Sequence, residues 1–162
     1  MLKSKVHIIG SCRAFDLLRS STEYTEINNR GDIFYHSTKE MLNLLDYQTR
    51  KAVPYKLRRH LKIKGDLAAK IRDADIVLIE VSSTYCAKVD EFYFKLHGSS
   101  LKKYKYKIKP SEMIRDLKRI ASKLADKKVI FIPHINIIKD GEPLIVSRQR
   151  VVKILSKFVE EL

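Results

Sequence analysis

Three β-branched runs punctuate this chain. Val6-His7-Ile8-Ile9 leads into Gly10-Ser11-Cys12, Ile76-Val77-Leu78-Ile79-Glu80-Val81 follows Asp73-Ala74-Asp75, and Lys128-Val129-Ile130-Phe131-Ile132 leads into Pro133-His134. Continuous rather than alternating apolar character marks strands buried on both faces, as in parallel sheets. Asp32-Ile33-Phe34-Tyr35-His36 is a weaker fourth run, expected nearer a sheet edge.

Helical patterns fall between these runs, where parallel strands need crossovers. Ser37-Thr38-Lys39-Glu40 reads as a capping box, followed by Met41, Leu42, Leu44 and Leu45 on an apolar face. Gly65 to Arg72 predicts a short helix. Pro110-Ser111-Glu112 opens a longer one, in which Met113, Ile114, Leu117, Ile120, Ala121 and Leu124 recur at helical spacing. Ser147 to Glu161 predicts the last helix, with Val151, Val152, Ile154, Leu155, Phe158 and Val159 apolar. Strands and helices alternating in this way predict a three-layer α/β/α sandwich with a mostly parallel, flavodoxin-like sheet, formed by residues 1–162 as a single domain.

Two segments interrupt the alternation, and both are basic. Thr49 to Lys64 carries seven Lys and Arg residues and no acid, and Leu101 to Lys109 reads Leu-Lys-Lys-Tyr-Lys-Tyr-Lys-Ile-Lys. The second is expected as an edge strand whose lysines oppose aggregation, or as an arm that meets an anion. Basic residues interleaved with aromatics also suit single-stranded nucleic acid, although no recognition-helix, RRM, KH or OB signature accompanies them. The whole chain has 33 Lys and Arg against 19 Asp and Glu, a formal net charge of +14. That surplus implies an anionic partner or substrate without naming it. No apolar run approaches the roughly 20 residues of a membrane span, so a cytoplasmic protein is expected.

Candidate chemistry gathers at the carboxyl ends of the predicted strands, where open α/β sheets place their sites. Cys12 follows Gly10-Ser11 at a strand-to-helix turn, and the positive end of a helix dipole there favours the thiolate. Its structural alternative is a small buried apolar residue. Cys86, the other cysteine, also follows a predicted strand; two cysteines make no disulfide framework, and no Cys/His spacing fits a metal site. Glu80 is a carboxylate inside a buried strand and needs a partner. Ser82, Ser83, Thr84 and Tyr85 follow it as hydroxyl donors, and Ser82 to Thr84 alternatively as turn caps. Pro133-His134-Ile135-Asn136 brings an imidazole and an amide to the same edge. His36 precedes the capping box, and Asn28, Asn29 and Gly31 form a turn just upstream. A thiol, a histidine and convergent donors are what nucleophilic acyl transfer requires.

Gly10-Ser11-Cys12 at the end of the first strand, with clusters at the later strand ends, resembles the SGNH/GDSL hydrolase superfamily, nearest in flavour to its GSCFA-type and WcbI-like branches of polysaccharide biosynthesis. The third residue of that family's Gly-Asp-Ser block is the nucleophile, which the resemblance transfers to Cys12. The family's Gly-x-Asn-Asp block is replaced here by Val81-Ser82-Ser83-Thr84, and its Asp-x-x-His block by Asp140-Gly141-Glu142-Pro143 and then Ser147-Arg148. A working histidine would therefore be His134 or His36.

The resemblance implies an esterase or acyltransferase acting on an acyl group of a carbohydrate or related anionic substrate. Cys12 would be the nucleophile, Ser11 would shape the oxyanion site, His134 would be the base and Glu80 its orienting carboxylate. Gly10, Arg13, His36, Ser82, Ser83, Asn136 and Arg148 would line the substrate site. No metal is expected, and coenzyme A is the acyl donor that the transferase version calls for. A non-catalytic anion- or glycan-binding module is the alternative, and nucleic-acid binding a second one.

Overall fold

The computed structural model describes residues 4–10, 14–16, 24–26, 35–46, 55, 60, 67–96, 100–134, 138–139, 141–143 and 146–161. Ser11, Cys12, Arg13, Asn28, Asn29, Gly31, residues 32–34 and Asn136 lie outside them, as does the basic segment 49–64 apart from Tyr55 and His60.

Four strands form a parallel sheet: β1 (Ser4–Ile9), β2 (Tyr24–Glu26), β3 (Ile76–Val81) and β7 (Lys128–Pro133), in the order β2-β1-β3-β7. All six residues of β3 are buried, as its uninterrupted apolar run requires of a strand flanked on both sides and covered on both faces. Its register runs from Val6↔Ile76 to Ile9↔Ile79 against β1, and from Ile76↔Lys128 to Val81↔Pro133 against β7. Of the weak fourth run expected at 32–36, residues 32–34 lie outside the described residues, and Tyr35 and His36 are not in a strand; among the described residues the strand outside β1 is β2, which pairs through Ser4↔Tyr24 to Val6↔Glu26. Only three residues long, Tyr-Thr-Glu carries too little apolar pattern to announce itself.

Alternation along β3 sorts its side chains between two clusters. Val77, Ile79 and Val81 join α1 (Thr38–Asp46), α3 (Pro110–Lys123) and α4 (Val146–Glu160) through Met41, Leu44, Met113, Leu117, Val151 and Phe158. Phe131 of β7 meets Phe158 edge-on with ring centroids 5.6 Å apart. The short α2 (Leu67–Arg72) precedes β3 and adds Ile71 to the same cluster. Ile76 and Leu78 face the other way, against Val6, Ile8, Ala14 and Phe15. The fold is mixed α/β, and helical cover of this second face is limited, among the described residues, to residues 14–16.

The sequence did not announce a second, antiparallel sheet, ordered β5-β4-β6 and made of β4 (Tyr85–Val89), β5 (Phe92–Phe94) and β6 (Lys105–Lys107). Val89↔Phe92 closes its hairpin around Asp90-Glu91, with Asp90 at φ 54°, a left-handed conformation that aspartate tolerates. The expected edge strand at 103–109 is shorter than its alternation suggested. A 3-10 turn takes Lys102–Tyr104, and only 105–107 pair, at the sheet edge opposite β5. Cys86 is also corrected: it lies inside β4, wholly buried in the main core, rather than at a strand's carboxyl edge. Beyond β7, β8 (Ile138–Lys139) and β9 (Glu142–Pro143) form a minimal hairpin whose turn uses Gly141 at φ 82°, a conformation glycine adopts at little cost.

Candidate functional site at the sheet's carboxyl edge

In the order β2-β1-β3-β7 the chain leaves β1 first to one side and then to the other, so the sheet's topological switch point lies between β1 and β3. Crossovers diverge there and open a crevice beyond the strands' carboxyl ends. Gly10 ends β1 at this point. A Cβ at Gly10 would lie 2.7 Å from Glu80 Cβ, 3.0 Å from Glu80 Oε2 and 3.3 Å from Ala14 Cβ. The residue is glycine because the Glu80 side chain occupies the space a methyl group would need.

Glu80 is 2% exposed. Its Oε1 is hydrogen-bonded to Nδ1 of His134, the first residue beyond β7. The backbone N–H of His134 extends the ladder by donating to Val81 O at 3.2 Å. The carboxylate thus links the ends of three adjacent strands: β1 through Gly10, β3 through its own backbone, and β7 through His134. A buried carboxylate on Nδ1 fixes the ring's orientation and its tautomer, directing chemistry to Nε2.

A second histidine stands across the cleft. The carbonyl of His36 accepts the backbone N–H groups of Ser82 and Ser83, at 2.9 and 2.8 Å, which ties the approach to α1 onto the end of β3. Its Nδ1 is hydrogen-bonded to Ser82 Oγ at 2.7 Å. The predicted capping box forms in altered form. Ser37 Oγ accepts from Glu40 N at 3.4 Å and donates to Glu40 Oε1 at 2.8 Å, while Glu40 Oε2 reaches back to His36 N at 3.3 Å. Burial pushes the Glu40 carboxyl up to about 7, against the lowering effect of Ser37, the His36 N–H and Lys95.

His36, Glu40, Ser82, Ser83, Tyr85 and His134 share one cleft of about 600 Å³. Lys102, Lys105 and Arg148 complete its rim with positive charge, and Lys105 Nζ stands 4.4 Å from the centre of the Tyr85 ring. Of the predicted site residues, the structure brings Gly10, Glu80, His134, His36, Ser82, Ser83 and Arg148 to this edge. Ser83, however, is spent locally: its hydroxyl donates to Tyr85 O and accepts from Tyr85 N, both at 2.9 Å, as a turn-forming serine does. Thr84, grouped with these serines as a donor, turns to the other side of the segment and lines a different groove. Sequence reasoning grouped Tyr85 with the hydroxyl donors but missed Glu40, Lys102 and Lys105 as lining residues. The basic run at 101–109 was the signal for the lysines, but its route past the cleft depends on its pairing with β4.

No group of three or more His, Cys, Asp or Glu side chains among the described residues has the arrangement of a metal site, and no helix among them is long and apolar enough to cross a membrane. No family model, curated protein or solved structure matches the chain.

Proposed function

We propose that the chain is an SGNH-like esterase or acyltransferase that acts on an acyl group of a carbohydrate or related anionic substrate. The observation that carries this reading is the Glu80–His134 pair at the switch point of a parallel sheet, beside a glycine whose missing side chain makes room for it. Cys12 falls in the chain two residues after Gly10, which borders Glu80.

In the proposed reaction His134 Nε2 takes the Cys12 thiol proton, and sulfur attacks the acyl carbon. The imidazolium, steadied by Glu80, returns the proton to the departing oxygen or sulfur as its bond to carbon breaks. Water then releases the acyl group as a carboxylic acid, or a sugar hydroxyl takes it as an ester. Ser11 and Asn136 contribute to the oxyanion site, and Arg13 joins Arg148 in holding the substrate's charge. Lys102, Lys105 and Arg148 favour an anionic substrate, and coenzyme A thioesters are the donors that suit a basic rim.

The test is acyl release from p-nitrophenyl acetate and acetyl-CoA. Cys12→Ala abolishes turnover, and His134→Ala lowers kcat by about 10²- to 10⁴-fold. Thiol labelling supplies a second readout. Burial, followed by the charge of Glu40, pushes the Cys86 thiol up to about 12, so iodoacetamide modifies Cys12 well before Cys86. Equal, slow labelling of both thiols removes the case for a cysteine nucleophile. Wild-type protein that binds an anionic glycan without turning over either ester assigns the cleft to binding alone.

A further inference from the structure

The segment that follows β3 has two sides. Ser83 and Tyr85 line the cleft described above, whereas Thr84 lines a separate groove of about 1030 Å³ between α3 and α4. That volume lies at the upper end of the roughly 300–1,000 Å³ typical of small-molecule sites. Its apolar lining is aliphatic: Ile108, Pro110, Ile114 and Ile154. Aromatic platforms of the kind that stack nucleobases are absent from the described lining.

The rim has the opposite character. Lys107 and Lys109 flank Ile108 on the exit from β6, Arg115 stands on α3, and Arg150, Lys153 and Lys157 form one stripe along α4. Glu161 is the single carboxylate among the described lining residues, and it is engaged by Lys118 at 2.8 Å. Thr84 is 4% exposed, and its hydroxyl has no hydrogen-bond partner among the described residues. A buried hydroxyl without a partner carries a desolvation penalty that a polar ligand atom can relieve.

We propose that this groove binds a single-chain amphiphile with a phosphate-type head, taken up as a monomer. The hydrocarbon chain lies on the isoleucines and on the aliphatic stems of the lysines, and the head meets the cationic rim. Aliphatic lining and concentrated positive charge in one concavity together favour this occupant: a bare anion would not use the lining, and a neutral lipid would not use the rim. The groove shares no lining residue with the catalytic cleft, so the proposal stands whether or not the chain proves to be an acyl-transfer enzyme.

Calorimetric titration of the full chain with dodecyl phosphate, kept below its micelle concentration, tests the proposal. One dodecyl phosphate per chain is expected, with no binding of dodecyltrimethylammonium and no more than weak competition from inorganic phosphate. Lys153→Glu combined with Lys157→Glu weakens binding by about tenfold or more. Thr84→Val weakens it by about threefold to tenfold and leaves the melting temperature unchanged or higher, because no internal hydrogen bond is lost. Should the charge-reversed protein fail to fold, Thr84→Val and Arg150→Gln carry the test. Affinity unchanged in the variants overturns the proposal, as does full displacement by inorganic phosphate. Binding confined to anionic vesicles, without uptake of the monomer, overturns it in favour of surface attraction. Self-association abolished by the same substitutions overturns it in favour of a second copy in the groove.

Discussion

Gly10 and Glu40 show how single residues hold the cleft in shape. With Glu80 Cβ only 2.7 Å from where a Gly10 methyl would stand, Gly10→Ala must push the carboxylate aside or bend the end of β1. Overpacking of this kind costs about 1–3 kcal/mol, read as a lower denaturation midpoint, and in the proposed mechanism acyl transfer falls with it because Glu80 can no longer steady His134. Glu40 makes a pH-dependent contribution. Its carboxyl titrates near 7 in the fold and near 4.5 as a free side chain, so the native state retains a proton that the unfolded chain releases. Its contribution is complete below about pH 4.5 and is lost as pH rises through 7, amounting to roughly 3 kcal/mol. The Ser37 hydroxyl, the His36 N–H and Lys95 favour the charged form, while Tyr35 and Cys86 lie within reach of its field. Glu40→Gln keeps the size of the side chain and flattens this part of the profile. Denaturant melts of both proteins from pH 5 to 9 measure the difference, and parallel profiles would refute the assignment.

At the scale of elements, α1 and α3 are joined by a buried polar cluster as well as by packing. Lys39 Nζ lies 3.0 Å from Asp116 Oδ1, and Thr38 Oγ1 donates to Asp116 Oδ2 at 3.1 Å. Lys39 also approaches Glu112 at 3.8 Å and stands 5.5 Å from the centre of the Tyr93 ring on β5. Asp116 is wholly buried, and burial raises its carboxyl above the usual carboxylate range despite Lys39. Lys39→Met leaves that carboxylate without its cation and destabilises the fold by about 3–5 kcal/mol, whereas Lys39→Met with Asp116→Leu recovers most of the loss. A double-mutant cycle in urea decides the matter; destabilisation by the double variant equal to the sum of the two single variants would show that the pair has no coupling. Periodicity revealed α3 and α4 because an amphipathic face repeats over several turns. It missed β2, β4 and β5 because strands of three to five residues are defined by their partners rather than by their own pattern.

The molecule as a whole is strongly basic, and both the cleft and the α3–α4 groove carry part of that charge on their rims. Lys102, Lys105 and Arg148 border the cleft, while the rim of the α3–α4 groove carries a larger set. If the cleft receives an anionic acyl substrate, KM for a negatively charged ester rises between 50 and 500 mM salt, while KM for a neutral ester of the same acyl group stays nearly constant, since screening acts on the charged ligand alone. Equal salt sensitivity for the two esters would show that the rim cations do not contact substrate. The cleft and the α3–α4 groove share three segments, with Ser83 and Tyr85, Lys105 and Arg148 on the cleft and Thr84, Lys107 and Arg150 on the groove.

By itself the sequence determined the mixed α/β class, the three long strands, the helices that cross between them, and the gathering of Gly10, Glu80 and His134 at one edge. These features rest on local patterns: uninterrupted β-branched runs, helical periodicity, and the polar residues that end each run. Expected to be buried on both faces like β3, β7 is instead only half-buried at the end of the strand order, because one of its sides has no neighbouring strand among the described residues. Tertiary structure alone decided that Glu80 pairs with His134 and His36 with Ser82, that Ser83 is consumed by its own turn, that Cys86 is core, and that Thr84 opens onto a second groove. Each of these depends on register and on which way one side chain points across a sheet edge. A shift of a single residue reverses that direction, and no periodicity records it.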